Sequence, residues 1–174
     1  MQLNIEPEPG RDGKSTKPIP NFSNGENVHR LIFIDRLLVN IFTLHRKFQR
    51  GEIISRTFYR KKTGWNNRKK SRLIESLLLH IPIPMIYMKE GSEGKLEVVD
   101  GQQRLDAVFD FFNCKYPLTG LTLLTHLNGK SFLDFEINNT ALQRRLEEYQ
   151  VSLLVIKKES SPEMGLEIFR RLNR

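Results

Sequence analysis

In VVDGQQRLDAVFDFF, residues 98–112, a short apolar stretch runs directly into Asp100, Gly101, Gln102, Gln103 and Arg104, and then into a helical pattern. These five side chains are suited to phosphate chemistry. The first turn of a helix presents unpaired N–H groups at the positive end of its dipole, which attracts anions. Gly101 lets a ligand come close to the backbone. Gln102 and Gln103 add neutral donors, and Arg104 offers a fixed charge in a forked geometry that matches phosphate. Asp100 is the exception, because a carboxylate repels phosphate unless a cation lies between them or it handles a proton or water. With a nucleotide as ligand, Asp100 implies Mg²⁺ as its companion. The same residues also fit a purely structural turn, in which Asp100 caps the helix, Gly101 makes the bend and Arg104 pairs with an acid. The segment alone leaves both readings open.

The elements that must position this turn are legible around it. Leu105, Val108, Phe109 and Phe112 recur at i, i+3, i+4 and i+7 and give the helix one buried face. Upstream, residues 85–89 and 95–99 form two expected strands around GSEG, a hairpin signal. Before them, Asn66 or Asn67 is expected to cap a helix whose apolar face is Leu73, Ile74, Leu77 and Leu78, and which IPIP at 81–84 stops. LIFI at 31–34 is expected as a buried strand, followed by a helix over 37–48 that Gly51 ends. Downstream, Asn128–Gly129 is a turn, residues 141–149 a short helix, 151–156 a buried strand and 162–173 a last helix. Residues 1–27, rich in Pro, Gly, Asn and charge, are expected to be a flexible tail, with a single domain over 28–174. Strands alternating with helices argue for a mixed α/β or α+β domain.

The chain has 174 residues, 39% hydrophobic and 28% charged, enough for one domain with a real core. No apolar run reaches the roughly 18 residues of a membrane span. The N-terminus is acidic and lacks the apolar stretch of a signal peptide. Cys114 is the single cysteine, which excludes an intrachain disulfide and a Cys-rich zinc site. A cytoplasmic location follows as the expectation.

The net charge of +8 is local. Eleven basic residues lie between Arg46 and Arg72, opposed only by Glu52, whereas the rest of the chain holds 17 basic and 19 acidic residues. Such a block suits a polyanion, most often nucleic acid. Arg60, Lys61, Lys62, Arg68, Lys69 and Lys70 are the candidate DNA contacts. Tyr59 and Trp65 are interleaved with them, although Trp65 is expected to pack beside the helix that follows. Two motifs are discarded. Gly129-Lys130-Ser131 ends like a phosphate-binding loop, but position 124, where the leading glycine belongs, is leucine. His29, His45, His80 and His126 are scattered without metal-ligand spacing.

KSRLIESLLLHIPIPMIYM (70–88), LEVVDGQQRLDAVFDFF (96–112), LNGKSF (127–132) and EIFRRLN (167–173) stand in an order that resembles the N-terminal domain of GmrSD-type, modification-dependent restriction endonucleases. The resemblance runs from about Leu37 to the end. It implies a ParB/sulfiredoxin-like fold, with nucleoside triphosphate hydrolysis at the DGQQR motif. That hydrolysis would license or regulate DNA cleavage in anti-phage defence, often against phage with modified bases. Carried over by residue, Asp100 would be metal-linked or catalytic, and Gly101, Gln102 and Gln103 would line the nucleotide site. Arg104 would clamp phosphate, and Arg170 and Asn173 would belong to a second motif closing over it.

Three features depart from the family pattern. The Gln-Arg pair usual before the tryptophan is shifted or lost in Tyr59-Arg60-Lys61-Lys62-Thr63-Gly64-Trp65. The sequence ends at Arg174 inside the RLN motif, so the domain is expected to be truncated there. No HNH-type nuclease segment is present, which places the nuclease in a separate domain or subunit. The expectation is an NTP-hydrolysing regulatory domain. The alternatives are a DNA-binding module without turnover and a ParB-like, metal-dependent DNA nickase.

Overall fold

A computed structural model describes residues 32–55 and 64–161, together with Ile168 and Arg171. The order of elements follows from local signals that tertiary pairing then trims. β1 is Ile34–Asn40 and α1 is Ile41–Gln49, with β2 (Ile53–Ile54) close behind. The apolar pattern over 37–48 fits a helix throughout, but the helix starts only at Ile41. Asn40 caps it by accepting the Thr43 N–H at 2.8 Å. Residues 34–40 instead pair antiparallel with the strand at 150–156. The strand expected at LIFI therefore begins where that segment ends, and it is exposed rather than buried.

α2 (Asn67–Leu78) is capped by Asn66, whose side chain accepts from Lys69 N–H. It ends as His80 enters the left-handed region at φ 55 and Ile81 N–H reaches back to Ser76. β3 (Ile86–Glu90) and β4 (Leu96–Asp100) form the expected hairpin and lead into α3 (Gln102–Phe112). A short helix not anticipated from the sequence, α4 (Phe132–Asn138), follows a capping box between Ser131 and Asp134. This box also disposes of the phosphate-loop look of Gly129-Lys130-Ser131. α5 (Thr140–Glu147) then leads into β5 (Gln150–Ile156). The expected helix at 162–173 lies outside the described residues except for Ile168 and Arg171, as does the expected tail at 1–27.

The sheet is mixed and five-stranded, in the order β1-β5-β3-β4-β2, and with the surrounding helices it makes an α+β fold. β5 lies between β1 and β3, antiparallel to the first and parallel to the second. One face carries Ile86 and Met88 of β3, Val98 of β4, and Val151, Leu153 and Val155 of β5. These join α1, α2 and α3 in one core, with Leu44, Ile74, Leu77 and Phe111 at its centre. Among the described residues, no helix is long and apolar enough to cross a membrane.

The polar residues of α2 serve the fold. Ser71 is fully buried, donates to the Asn67 carbonyl and accepts the Thr119 N–H. The carboxylate of Glu75, also buried, accepts three consecutive backbone N–H groups, of Thr122, Leu123 and Leu124, at 3.0, 2.7 and 2.9 Å. Burial opposes its charge, but these bonds and the nearby Arg72 outweigh burial and hold the carboxyl below its ordinary value.

A group with a lowered folded pKa contributes its stability in full above its unfolded value and loses it as pH falls through the folded one. Glu75→Gln is therefore expected to cost about 2 kcal/mol or more at pH 7, since it weakens three partly buried bonds at once. The difference in melting temperature from wild type should narrow as pH drops below about 4. A difference that stays constant with pH would refute the assignment.

Candidate functional site

Where β4 meets α3, the two strands of the hairpin fall out of step. Met88 faces Val98 while Tyr87 faces Asp100, so Val99 is an extra residue on β4. A bulge of this kind turns the following side chain to a new direction. Asp100 follows it at the strand's end, one-third exposed. Gly101 then takes φ +96, and a Cβ there would meet Ile86 at 3.0 Å and the Arg104 guanidinium at 3.3 Å. Both the conformation and the space call for glycine. The chain turns sharply enough that Gly101 itself is the cap residue of α3, and no side chain caps the helix. Asp100 therefore does not fill the capping role that its position allowed. The amides at the start of α3 stay available to an anion.

Arg104 lies one turn on. Its Nη2 donates to Asp100 Oδ2 at 2.7 Å, and its Nη1 donates to the carbonyls of Pro84 and Met85, the latter at 3.2 Å. The guanidinium is only 13% exposed, which makes it a strut between α3, β4 and the segment entering β3. Three of its five N–H groups are used in this way. Gln102 donates its amide N–H to Asp106 Oδ1 at 2.7 Å, while its Oε1 is buried with no partner among the described residues. An unpartnered buried acceptor at the mouth of a helix is unusual and marks a place where a donor belongs. Gln103 is exposed beside it.

Asp100, Gly101, Gln102, Gln103 and Arg104 thus occupy the β4–α3 turn. The structure does not describe Arg170 or Asn173, the second expected motif, nor Arg60, Lys61 and Lys62 of the basic block. The described basic residues part company. Lys47 and Arg50 share Glu52. Lys70, largely buried, forms a 2.6 Å ion pair with Asp110 of α3, and the Lys115 ammonium lies on the other oxygen of that carboxylate. Burial opposes the Asp110 charge, but the two lysines hold its carboxyl below the ordinary range. Lys69 lies over the ring of Trp65 at 4.4 Å, and Trp65 packs against the core, as expected. Arg68 stays exposed.

Sequence reasoning missed the orphaned Gln102 oxygen and the carbonyls that hold Arg104. Neither has a sequence signal: the first is the absence of a partner, and the second depends on where Pro84 and Met85 pass. His45, set aside as a metal ligand, is buried against Phe109 and Phe112 and lowered by that burial. Among the described residues, no group of three His, Cys, Asp or Glu side chains comes together to hold a metal ion.

Compared with models of known families, residues 41–174 match the GmrSD restriction endonuclease, N-terminal domain. No curated protein and no solved structure matches the chain. The geometry of the turn makes one firm expectation. Gly101→Ala should lower stability by about 1–3 kcal/mol, because it adds left-handed strain to a collision with Ile86. A thermal melt unchanged from wild type would show that the turn is not held as described.

Proposed function

This chain belongs to the GmrSD restriction endonuclease N-terminal domain family, and on that premise we propose that its DGQQR turn binds and hydrolyses a nucleoside triphosphate. The domain would thereby regulate a DNA-targeting restriction system whose nuclease lies in another domain or subunit. The observation that carries this reading is the uncapped start of α3, opened by a left-handed Gly101 and lined by the unpartnered Gln102 oxygen. Phosphates would meet the amides of Gln102 and Gln103. The two unused N–H groups of Arg104 would face the same charge. The buried Gln102 acceptor suits a donor such as a ribose hydroxyl or a nucleobase N–H. The ParB/sulfiredoxin-like phosphate-binding mode, the cytoplasmic setting and action on modified phage DNA belong to the same proposal.

The residues fit Mg²⁺ in its sparsest mode. Asp100 would supply one carboxylate oxygen, with nucleotide phosphates and water supplying the remaining ligands. When bound, the ion would neutralise charge on the phosphates. Asp100 is also placed to orient a water molecule at the turn.

One observation favours a second reading, a DNA-binding module without turnover. Arg104 is already engaged by Asp100 and two carbonyls, so its role is complete without a nucleotide. Calorimetry with ATP, GTP, CTP and UTP in Mg²⁺, followed by phosphate release, separates the two. Wild type is expected to bind at least one triphosphate and to release phosphate. Gln103→Ala, an exposed change, should weaken binding about tenfold. Asp100→Asn keeps a partner for Arg104 and should retain binding while lowering turnover about 100-fold. Failure of every triphosphate to bind a natively melting wild type would overturn the nucleotide reading.

A further inference from the structure

The outer face of α2 and the arginines of α5 have no part in the site described above. Arg68, Arg72 and Ser76 recur at four-residue spacing along α2, which places them along one stripe, and His80 lies just past the helix end. Arg68, Arg72 and His80 are exposed, while Ser71, Ile74, Glu75, Leu77 and Leu78 on the other side are buried. Lys69 flanks the stripe at its start, exposed over the Trp65 ring. At the far end the stripe meets α5. His80, Thr140, Ala141, Arg144, Arg145 and Glu148 line one open depression of about 390 Å³. The side chains of Arg68, Arg144 and Arg145 carry no hydrogen bond or ion pair among the described residues.

We propose that this stripe, from Arg68 along α2 and onto Arg144 and Arg145, is a backbone-binding surface for double-stranded DNA. Twelve residues of helix rise about 18 Å, and a duplex presents one phosphate charge per roughly 1.7 Å of axis. The stripe therefore matches a run of phosphates rather than a single anion. Guanidinium groups dominate it, and their fork suits phosphate oxygens. Ser76, small and central, leaves room for a backbone to lie close.

The acids nearby are mostly turned away. Glu75 gives one oxygen to three amides while its other oxygen lies 3.7 Å from Arg72, which also donates to Thr122 Oγ1, so Arg72 reaches the stripe partly neutralised; Glu147 accepts from Gln143. Glu148 alone faces the depression. Lys70, next in sequence to Lys69, is excluded because Asp110 holds it. Contacts of this kind position a duplex without reading its sequence. The choice of DNA rests on membership in a restriction system and not on nucleotide hydrolysis.

Fluorescence anisotropy with a labelled duplex of about 20 base pairs, without nucleotide and over a salt series, tests the surface. The full chain should bind with an affinity that falls steeply with salt. Arg144→Ala/Arg145→Ala should weaken binding about tenfold or more and reduce the log–log salt slope by about two. Lys95→Ala/Lys158→Ala removes the same formal charge from positions outside α2 and α5, Lys158 exposed and Lys95 half-buried and paired with Glu93, and should stay within about threefold of wild type. Equal weakening in both double variants would reduce the effect to net charge and overturn the surface. So would an unaffected arginine variant, or no binding by wild type. Phosphate release by the arginine variant should match wild type, so this proposal can fail while the nucleotide reading stands.

Discussion

The left-handed turn at Gly101 and the guanidinium that spans it hold three separate parts of the chain in register. Arg104 ties the first turn of α3 to the end of β4 and to the Pro84–Met85 carbonyls. Those carbonyls lie in a segment with little secondary structure of its own, between the end of α2 and the start of β3. Without the guanidinium, their oxygens and the Asp100 carboxylate would be left near the interior with fewer partners, a cost that exceeds the net worth of each bond. The turn is therefore built from the same atoms that give it chemical interest. A ligand there would meet a preorganised mouth whose carboxylate, amides and guanidinium are already aimed.

A similar economy runs through α2. SRLIES looks like a motif for chemistry, with a hydroxyl, a guanidinium and a carboxylate in six residues. Ser71 and Glu75 are spent on the backbone of residues 119–124, a loop about fifty positions away. Glu75, itself buried, satisfies three amides of a loop that has no helix or strand to pair them. Tyr116 donates to the Ala107 carbonyl from a buried position, and burial together with Asp110 raises its phenol well above the ordinary value. These groups are polar because irregular backbone needs partners.

Much of the frame was legible in the sequence where the deciding physics is local. The Asn66 cap, the 86–100 hairpin, the apolar face of α3 and the sharp turn at Gly101 each depend on residues within a few positions. Legibility failed where a distant partner decides. Residues 37–40 fit a helical pattern, yet β5, more than a hundred positions on, claims them as a strand. The basic block looked unopposed because Asp110, which takes Lys70, lies forty positions away. The site divided in the same way. Its five residues stood out as a motif, but what holds Arg104 depends on where Pro84 and Met85, about twenty positions earlier, come to lie.

The Lys70–Asp110 pair has a consequence for how the two surfaces relate. α3 begins at the DGQQR turn, and Asp110 sits near its other end, joined to α2 by a partly buried 2.6 Å ion pair. α2 in turn carries the exposed basic stripe. A shift of α3 along its axis on loading the turn would have to drag α2, or else break a charge pair that is mostly shielded from water. Breaking such a pair is far costlier than breaking a surface one, because it strands a desolvated charge. Lys115 on the second oxygen of Asp110 adds to that resistance. Contact is not coupling, which requires two arrangements that both sites bias. What the geometry shows is that α2 and α3 are tied by a charge pair as well as by packing, so the end of α3 far from the turn is held to the helix that carries the basic stripe.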